Sequence, residues 1–229
     1  MKPTRVVFLV YPNVTQLDLT GPAQVLSRLP NAKVDLVWKS LDPVPTDSGF
    51  ALLPTGTLDE VTEADILCIP GGFGCVDVMH DDEALAWVRS VGEKAQWVTS
   101  VCTGSLILGA AGLLEGFRAT SHWAWRDYLK LFEAEPVAER VVFDRNRVTG
   151  GGVTAGIDFA LALTAQIEGE DYACAVQLGL EYDPHPPFDS GTPSKAGEQL
   201  VKRVYERSDR MAPDREERVR AAAERLAGR

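Results

Sequence analysis

The sequence predicts an α/β fold with a mostly parallel sheet covered by helices on both faces. Three observations carry this. Short apolar runs at 5–11, 65–70 and 97–101 have the composition of strands buried on both faces. Segments with helical patterning, such as 82–94 and 154–168, lie between and after them. Strands that alternate with helices pair in parallel through crossovers. Finally, a lone cysteine stands where the run Trp97-Val98-Thr99-Ser100-Val101 gives way to small, helix-favouring residues from Thr103 onward.

The elements follow in order. The first strand covers 5–11. Thr20-Gly21-Pro22 opens a helix through about Leu29, with Pro22 in its first turn. A second strand spans 33–39. The third, 65–70, runs into Gly71-Gly72-Phe73-Gly74, and an amphipathic helix occupies 82–94. The fourth strand, 97–101, leads into a helix that begins near Thr103. A short strand at 118–121 and a short helix at 123–130 come next. Residues 141–148 read as strand–turn–strand around Asp144-Arg145-Asn146. Gly150-Gly151-Gly152 leads into the helix at 154–168, and another follows from Asp171. The Pro-rich stretch 183–187 is too short for a domain linker and marks where the core gives way to a helical tail. Residues 1–193 are therefore expected to form the α/β domain, and 194–229 a helical extension of it.

Composition narrows the function. The 229 residues are 45% hydrophobic and 24% charged, enough for one large domain with a real core. The net charge of −10, with no Lys/Arg stripe outside the mixed-charge tail, disfavours nucleic acid. No stretch approaches the roughly 20 apolar residues that span a bilayer. The cationic start at 1–12 has no small-residue cleavage site, so it is not read as a signal peptide, and a cytoplasmic protein is expected. Cys68, Cys75, Cys102 and Cys174 form no CxxC and no Cys/His ligand spacing, so free thiols and no metal are expected.

Cys102 is the residue with a chemical setting. A tight strand-to-helix turn lifts its central side chain into the crevice at the strand C-termini, where open α/β sheets bind ligands. The helix N-terminus there favours a thiolate, so a lowered pKa and a strained backbone are expected. The bland alternative, a small buried hydrophobe, stands beside this one and is taken for Cys68 and Cys174. Cys75, in a Gly-rich loop, is expected to be partly exposed. Two residues offer proton transfer. Asp18, between Leu17 and Leu19 after the first strand, is either a desolvated acid or a helix N-terminal acid, and the residues alone favour the latter. His122 follows the next strand after the elbow helix and is either a thiol partner or a packed histidine. The amides of Gly71, Gly72 and the 150–152 cluster can face developing negative charge. Neither Gly cluster matches a nucleotide-binding signature.

The segments QLDLTGP from Gln16, Ile69-Pro70-Gly71-Gly72, TSVCTGS from Thr99, Ala119-Thr120-Ser121-His122-Trp123-Ala124 and TGGGVTAGID from Thr149 together resemble the ThiJ/PfpI superfamily. Leu180-Glu181-Tyr182-Asp183-Pro184 and Pro186-Pro187-Phe188 extend the similarity toward its isocyanide hydratases. The resemblance spans about residues 5 to 193. It implies a flavodoxin-like three-layer sandwich with a nucleophile elbow, a homodimer, and hydration of a small isocyanide without any cofactor through a covalent thioimidate on Cys102. It maps the catalytic acid onto Asp18 and its helper onto Thr103, with Gly71, Gly72, Gly152 and His122 toward the substrate. Protease-like relatives carry His directly after the cysteine, where this chain has Thr103. The rival readings are a glyoxalase- or deglycase-like enzyme acting on α-oxoaldehydes and a cysteine-based redox or ligand sensor.

Overall fold

The computed structural model describes residues 3–228. The cationic start Met1-Lys2 and the tail's last residue, Arg229, lie outside the described residues.

The elements run β1 (Arg5–Leu9), α1 (Gln16–Leu26), β2 (Lys33–Trp38), β3 (Val44–Pro45), β4 (Ala51–Leu52), β5 (Gly56–Thr57), β6 (Ile66–Ile69), α2 (Cys75–Val78), α3 (Asp82–Lys94), β7 (Trp97–Val101) and α4 (Gly104–Ala110). Then come β8 (Arg118–Ala119), a 3-10 helix over Arg126–Phe132, β9 (Glu135–Pro136), β10 (Val141–Asp144), β11 (Arg147–Gly150), α5 (Ala155–Glu168), α6 (Glu170–Gly179), α7 (Pro193–Ala196), α8 (Glu198–Met211) and α9 (Arg215–Ala227).

The central sheet has the order β10-β11-β7-β6-β1-β2-β5. Every pairing in it is parallel except β10 with β11. Helices cover both faces, so the chain is an α/β three-layer sandwich of the flavodoxin-like kind. Strands β1, β6 and β7 are almost wholly buried, as their unbroken apolar runs require. After β1 the chain goes to β2 on one side and later to β6 on the other. The switch point of the sheet therefore lies between β1 and β6, where a crevice opens at the strand C-termini. The chain after β1 carries Asp18, the end of β6 carries Gly71 and Gly72, and the end of β7 carries Cys102. Three neighbouring strands thus deliver the three segments to one edge.

Several boundaries differ from expectation, among them the short helix expected at 123–130, which is a 3-10 helix over Arg126–Phe132, and two of the differences bear on the site. Helix α1 starts at Gln16, so Asp18 lies in its first turn and Pro22 in its interior. Pro22 leaves the Asp18 carbonyl without its helical donor. The proline ring instead packs on α5, where a Cβ on Gly156 would stand 3.0 Å from Pro22 Cδ. The strand expected at 118–121 stops at Ala119, because the Thr120 N–H donates to Thr149 Oγ1 at 2.9 Å rather than to a strand partner.

The elbow depends on a glycine two residues after Cys102. A Cβ on Gly104 would lie 2.0 Å from the Ile69 carbonyl oxygen and 2.7 Å from that of Pro70. Helix α4 therefore starts in backbone contact with the end of β6. Gly104→Ala is expected to lower unfolding stability by about 3 kcal/mol, an overpacking cost that cannot relax because backbone is struck. Urea denaturation measures it, and an unchanged midpoint refutes the contact.

Candidate active site

Cys102 adopts a left-handed backbone with φ of 55°. A non-glycine residue holds that conformation only when its neighbours over-determine it. Here they do. The Cys102 N–H is shared between the carbonyls of Gly150 at 3.1 Å and Gly151 at 2.7 Å. The Cys102 carbonyl accepts from Ser105 Oγ at 3.1 Å and Ser121 Oγ at 2.9 Å. The four partners come from three separate segments, so the strain is held by the fold, and the side chain lines the cavity at the crevice. The strained elbow expected from the sequence is present; the two serine hydroxyls that hold it are not visible in any local pattern.

Asp18 meets this elbow from the opposite side. Its side chain is fully buried. Oδ2 accepts from the Gly71 N–H at 2.9 Å, while Oδ1 is buried with no hydrogen-bond partner. The carboxyl and the Cys102 thiol act directly on each other's titration. A Cβ on Gly71 would sit 2.6 Å from Thr103 N, 2.7 Å from Asp18 Oδ2 and 2.8 Å from Cys102 Cβ. Gly71 is thus the hub around which acid, thiol and helix start are packed, and no side chain fits there. The preceding turn is held by Tyr11, whose hydroxyl donates to the Pro70 carbonyl at 2.9 Å.

Burial decides the charge state of both groups. It raises the Asp18 pKa to about 8, against the opposing pull of the Gly71 amide and the thiol. Asp18 therefore holds its proton at neutral pH. Burial also pushes the Cys102 thiol up, and the neighbouring Asp18 charge adds to it. The lowered thiol pKa expected from the helix N-terminus is corrected here. Helix α4 has seven residues, and its Thr103 amide pulls the other way without overcoming desolvation.

The remaining candidates fall into place around this pair. Thr103 is buried, and its hydroxyl accepts from the Gly72 N–H at 3.0 Å and donates to the Gly72 carbonyl at 3.1 Å. The amides of Gly71 and Gly72 are therefore spent on Asp18 and Thr103, so the expectation that they face developing charge is revised: they position the Asp18 and Thr103 side chains. His122 is half-buried, and desolvation together with Arg215 lowers its pKa to about 4. Its Nδ1 accepts from the Ala124 N–H at 3.3 Å, which leaves a neutral ring with the proton on Nε2. A cavity of about 290 Å³ opens over the thiol, walled by Phe73, Trp125, Val153, Val204 and His122, with Cys102 and Thr103 among its lining residues. Gly152 lines an adjoining cleft that meets this cavity at His122 and Val153. Among the described residues no three His, Cys, Asp or Glu side chains gather as metal ligands.

The other cysteines depart from expectation in two cases. Cys75 is buried although a partly exposed position was expected, and Cys174 is exposed although a buried one was. Helix α2 turns Cys75 inward against Thr103, while α6 buries only Ala173. Burial pushes Cys68 and Cys75 up to about 12. Iodoacetamide at neutral pH is therefore expected to modify Cys174 first and Cys102 more slowly, at a rate that rises with pH, leaving Cys68 and Cys75 untouched until the protein unfolds. Peptide mapping reads the order, and Cys102 labelling ahead of Cys174 would show its thiol to be ionised at rest.

The chain is similar to several known proteins. The chain is 51% identical over 219 residues to an isonitrile hydratase of Pseudomonas putida, covering 96% of each chain. It superposes with a TM-score of 0.91 on the crystal structure of a ThiJ/PfpI family protein from Pseudomonas syringae, at 44% identity and covering 97% of this chain and 91% of that one. An HTH-type transcriptional regulator of Pseudomonas aeruginosa, CdhR, is 29% identical over 178 residues, which make up 74% of this chain and 52% of the regulator. Residues 4–166 match the DJ-1/PfpI family, and the chain belongs to it.

Proposed function

We propose that this protein hydrates isocyanides, R–N≡C, to N-substituted formamides, with Cys102 as nucleophile and Asp18 as the proton carrier. The observation that carries the reading is the buried Asp18 carboxyl, protonated at neutral pH and set against a cysteine on a strained elbow. The 51% identity with the Pseudomonas putida isonitrile hydratase supports it over nearly the full length.

The chemistry follows from the charge states. An isocyanide ends in a carbon that accepts both a proton and a soft nucleophile. As the Cys102 sulfur bonds to that carbon, Asp18 gives its proton to the same carbon and takes up the proton leaving sulfur. The product is a thioimidate, R–N=CH–S, on Cys102, and Asp18 is again protonated. Asp18 then protonates the imine nitrogen and accepts a proton from the attacking water, forming a tetrahedral adduct. In the last step the C–S bond breaks, sulfur regains a proton from the adduct hydroxyl by way of Asp18, and the formamide leaves. The sum is R–N≡C plus water giving R–NH–CHO. Sulfur, one carboxyl and water suffice, so the scheme calls for no metal or organic cofactor.

The surroundings fit these steps. Asp18 Oδ1, the oxygen without a partner, is free to carry the proton. With its own proton on the Gly72 carbonyl, the Thr103 hydroxyl can accept a hydrogen bond from the attacking water. His122, neutral far below pH 7, polarises but does not protonate. The aromatic and aliphatic wall gives the substituent of the substrate an apolar surface to pack on. A homodimer, the assembly implied by the resemblance, forms part of the same proposal.

Asp18→Asn is expected to keep the fold and lower turnover of an alkyl isocyanide about a thousandfold, because an amide cannot exchange protons. Near-normal turnover would move the proton to His122 or solvent. The required form of Asp18 is the protonated one, so kcat/KM should fall as pH rises through about 8 and stay level below it. A rate that instead rises through that range contradicts the assignment. Acid quenching within the first turnovers should reveal protein heavier by one intact substrate, mapped to Cys102. Cys102→Ala should give neither adduct nor turnover, and an active Cys102→Ala variant excludes the thioimidate.

A further inference from the structure

The cavity over Cys102 has two charged side chains in its wall, Asp47 and Arg207. They are placed differently. Asp47 is committed, with Oδ2 accepting from Thr15 Oγ1 at 2.6 Å and Oδ1 from Ser48 Oγ at 2.9 Å. Among the described residues Arg207 has no hydrogen bond, ion pair or ring contact. Arg207 is exposed and lines the cavity, and its guanidinium offers five donors. His122 carries no charge near neutrality, so Arg207 is the cavity's cation among the described residues.

The helix that carries Arg207 is fixed over the site. On α8, Val204, Arg207 and Ser208 are three and four residues apart and so share the face that lines the cavity. Tyr205 of the same helix sets its ring edge-on against Trp123 at 5.0 Å. Arg215 pairs with Asp209 at 2.9 Å and lies over the Trp125 ring at 5.0 Å. Ser208 is buried as a result. The backbone of Arg207 is thus anchored to the wall of the cavity by its neighbours, while its side chain is left without a partner.

We propose that Arg207 binds a carboxylate on the substituent of the isocyanide, so that the enzyme selects small anionic isocyanides. The inference rests on the hydratase reading above. The isocyano carbon must reach Cys102 at the cavity floor, which sends the substituent outward between Phe73, Trp125, Val153 and Val204 toward the rim. At about 290 Å³ the cavity lies at the small end of the ligand-cavity range of about 300–1,000 Å³. A compact substrate therefore touches both ends, and an anion at its far end meets a planar donor fork that suits a carboxylate.

The test compares isocyanoacetate with n-butyl isocyanide, two substrates with equal numbers of heavy atoms and different charge. Arg207→Ala should lower kcat/KM for isocyanoacetate about tenfold more than for n-butyl isocyanide, mainly through KM. Arg207→Glu should widen that gap and Arg207→Lys should narrow it. High salt should shrink the preference of the unaltered protein, because the rim is open to solvent. Turnover of n-butyl isocyanide reports a folded site in each variant. An Arg207→Ala variant that loses both activities in equal proportion, or neither, overturns the role of Arg207 and leaves the hydratase reading standing. If the unaltered protein converts neither substrate to a formamide, the hydratase reading fails and the inference fails with it.

Discussion

The placement of one uncharged acid against one thiol is the constraint that organises this protein. A carboxyl buried as Asp18 is would cost far more as an anion than as an acid, so burial keeps its proton in place. That burial has structural prerequisites. The acid must leave β1 at the crevice, the Gly71 amide must reach it, and position 71 must lack a Cβ so that Thr103 and Cys102 can close in. Parallel pairing of β1, β6 and β7 brings the three segments together at one edge. Moving any of these strands by one register would separate acid from thiol.

The elbow supplies the second half. A left-handed cysteine between a buried strand and a helix is unfavourable in isolation, and four hydrogen bonds to its own backbone hold it there. Because the strain is held by Gly150, Gly151, Ser105 and Ser121, the Cys102 side chain needs no contact of its own for positioning. In the proposed reaction that leaves it free to bond and release a substrate. Thr103 is held in the same way, fixed by Gly72 at one residue's remove from the Cys102 sulfur.

Much of this was legible in the sequence. Apolar runs alternating with helical segments gave the layered sheet, and the cysteine at a strand–helix switch followed by Gly104 gave the elbow. The residues around Asp18 favour a helix N-terminal acid, and it does lie in the first turn of α1, but its approach to the thiol depends on Gly71 some fifty positions away. The helix N-terminus predicts a lowered thiol pKa, and burial raises it instead, for a related reason. A helix N-terminus is a local signal, whereas desolvation is set by the whole fold. Cys75 and Cys174 exchanged their expected exposures because loop and helix patterning do not say which face meets the core. Ser121 and Arg207 left no trace in local patterning: one acts through a backbone carbonyl on another strand's end, and the other reaches the site from a helix near the far end of the chain.

The central claim is that Asp18 is protonated at neutral pH, and infrared difference spectroscopy tests it without any substrate. Subtracting the spectrum of Asp18→Asn isolates the vibrations of this one carboxyl. The account predicts the carbonyl stretch of a protonated acid at pH 7, replaced by carboxylate bands as the pH passes about 8. Carboxylate bands already present at pH 7 would contradict it.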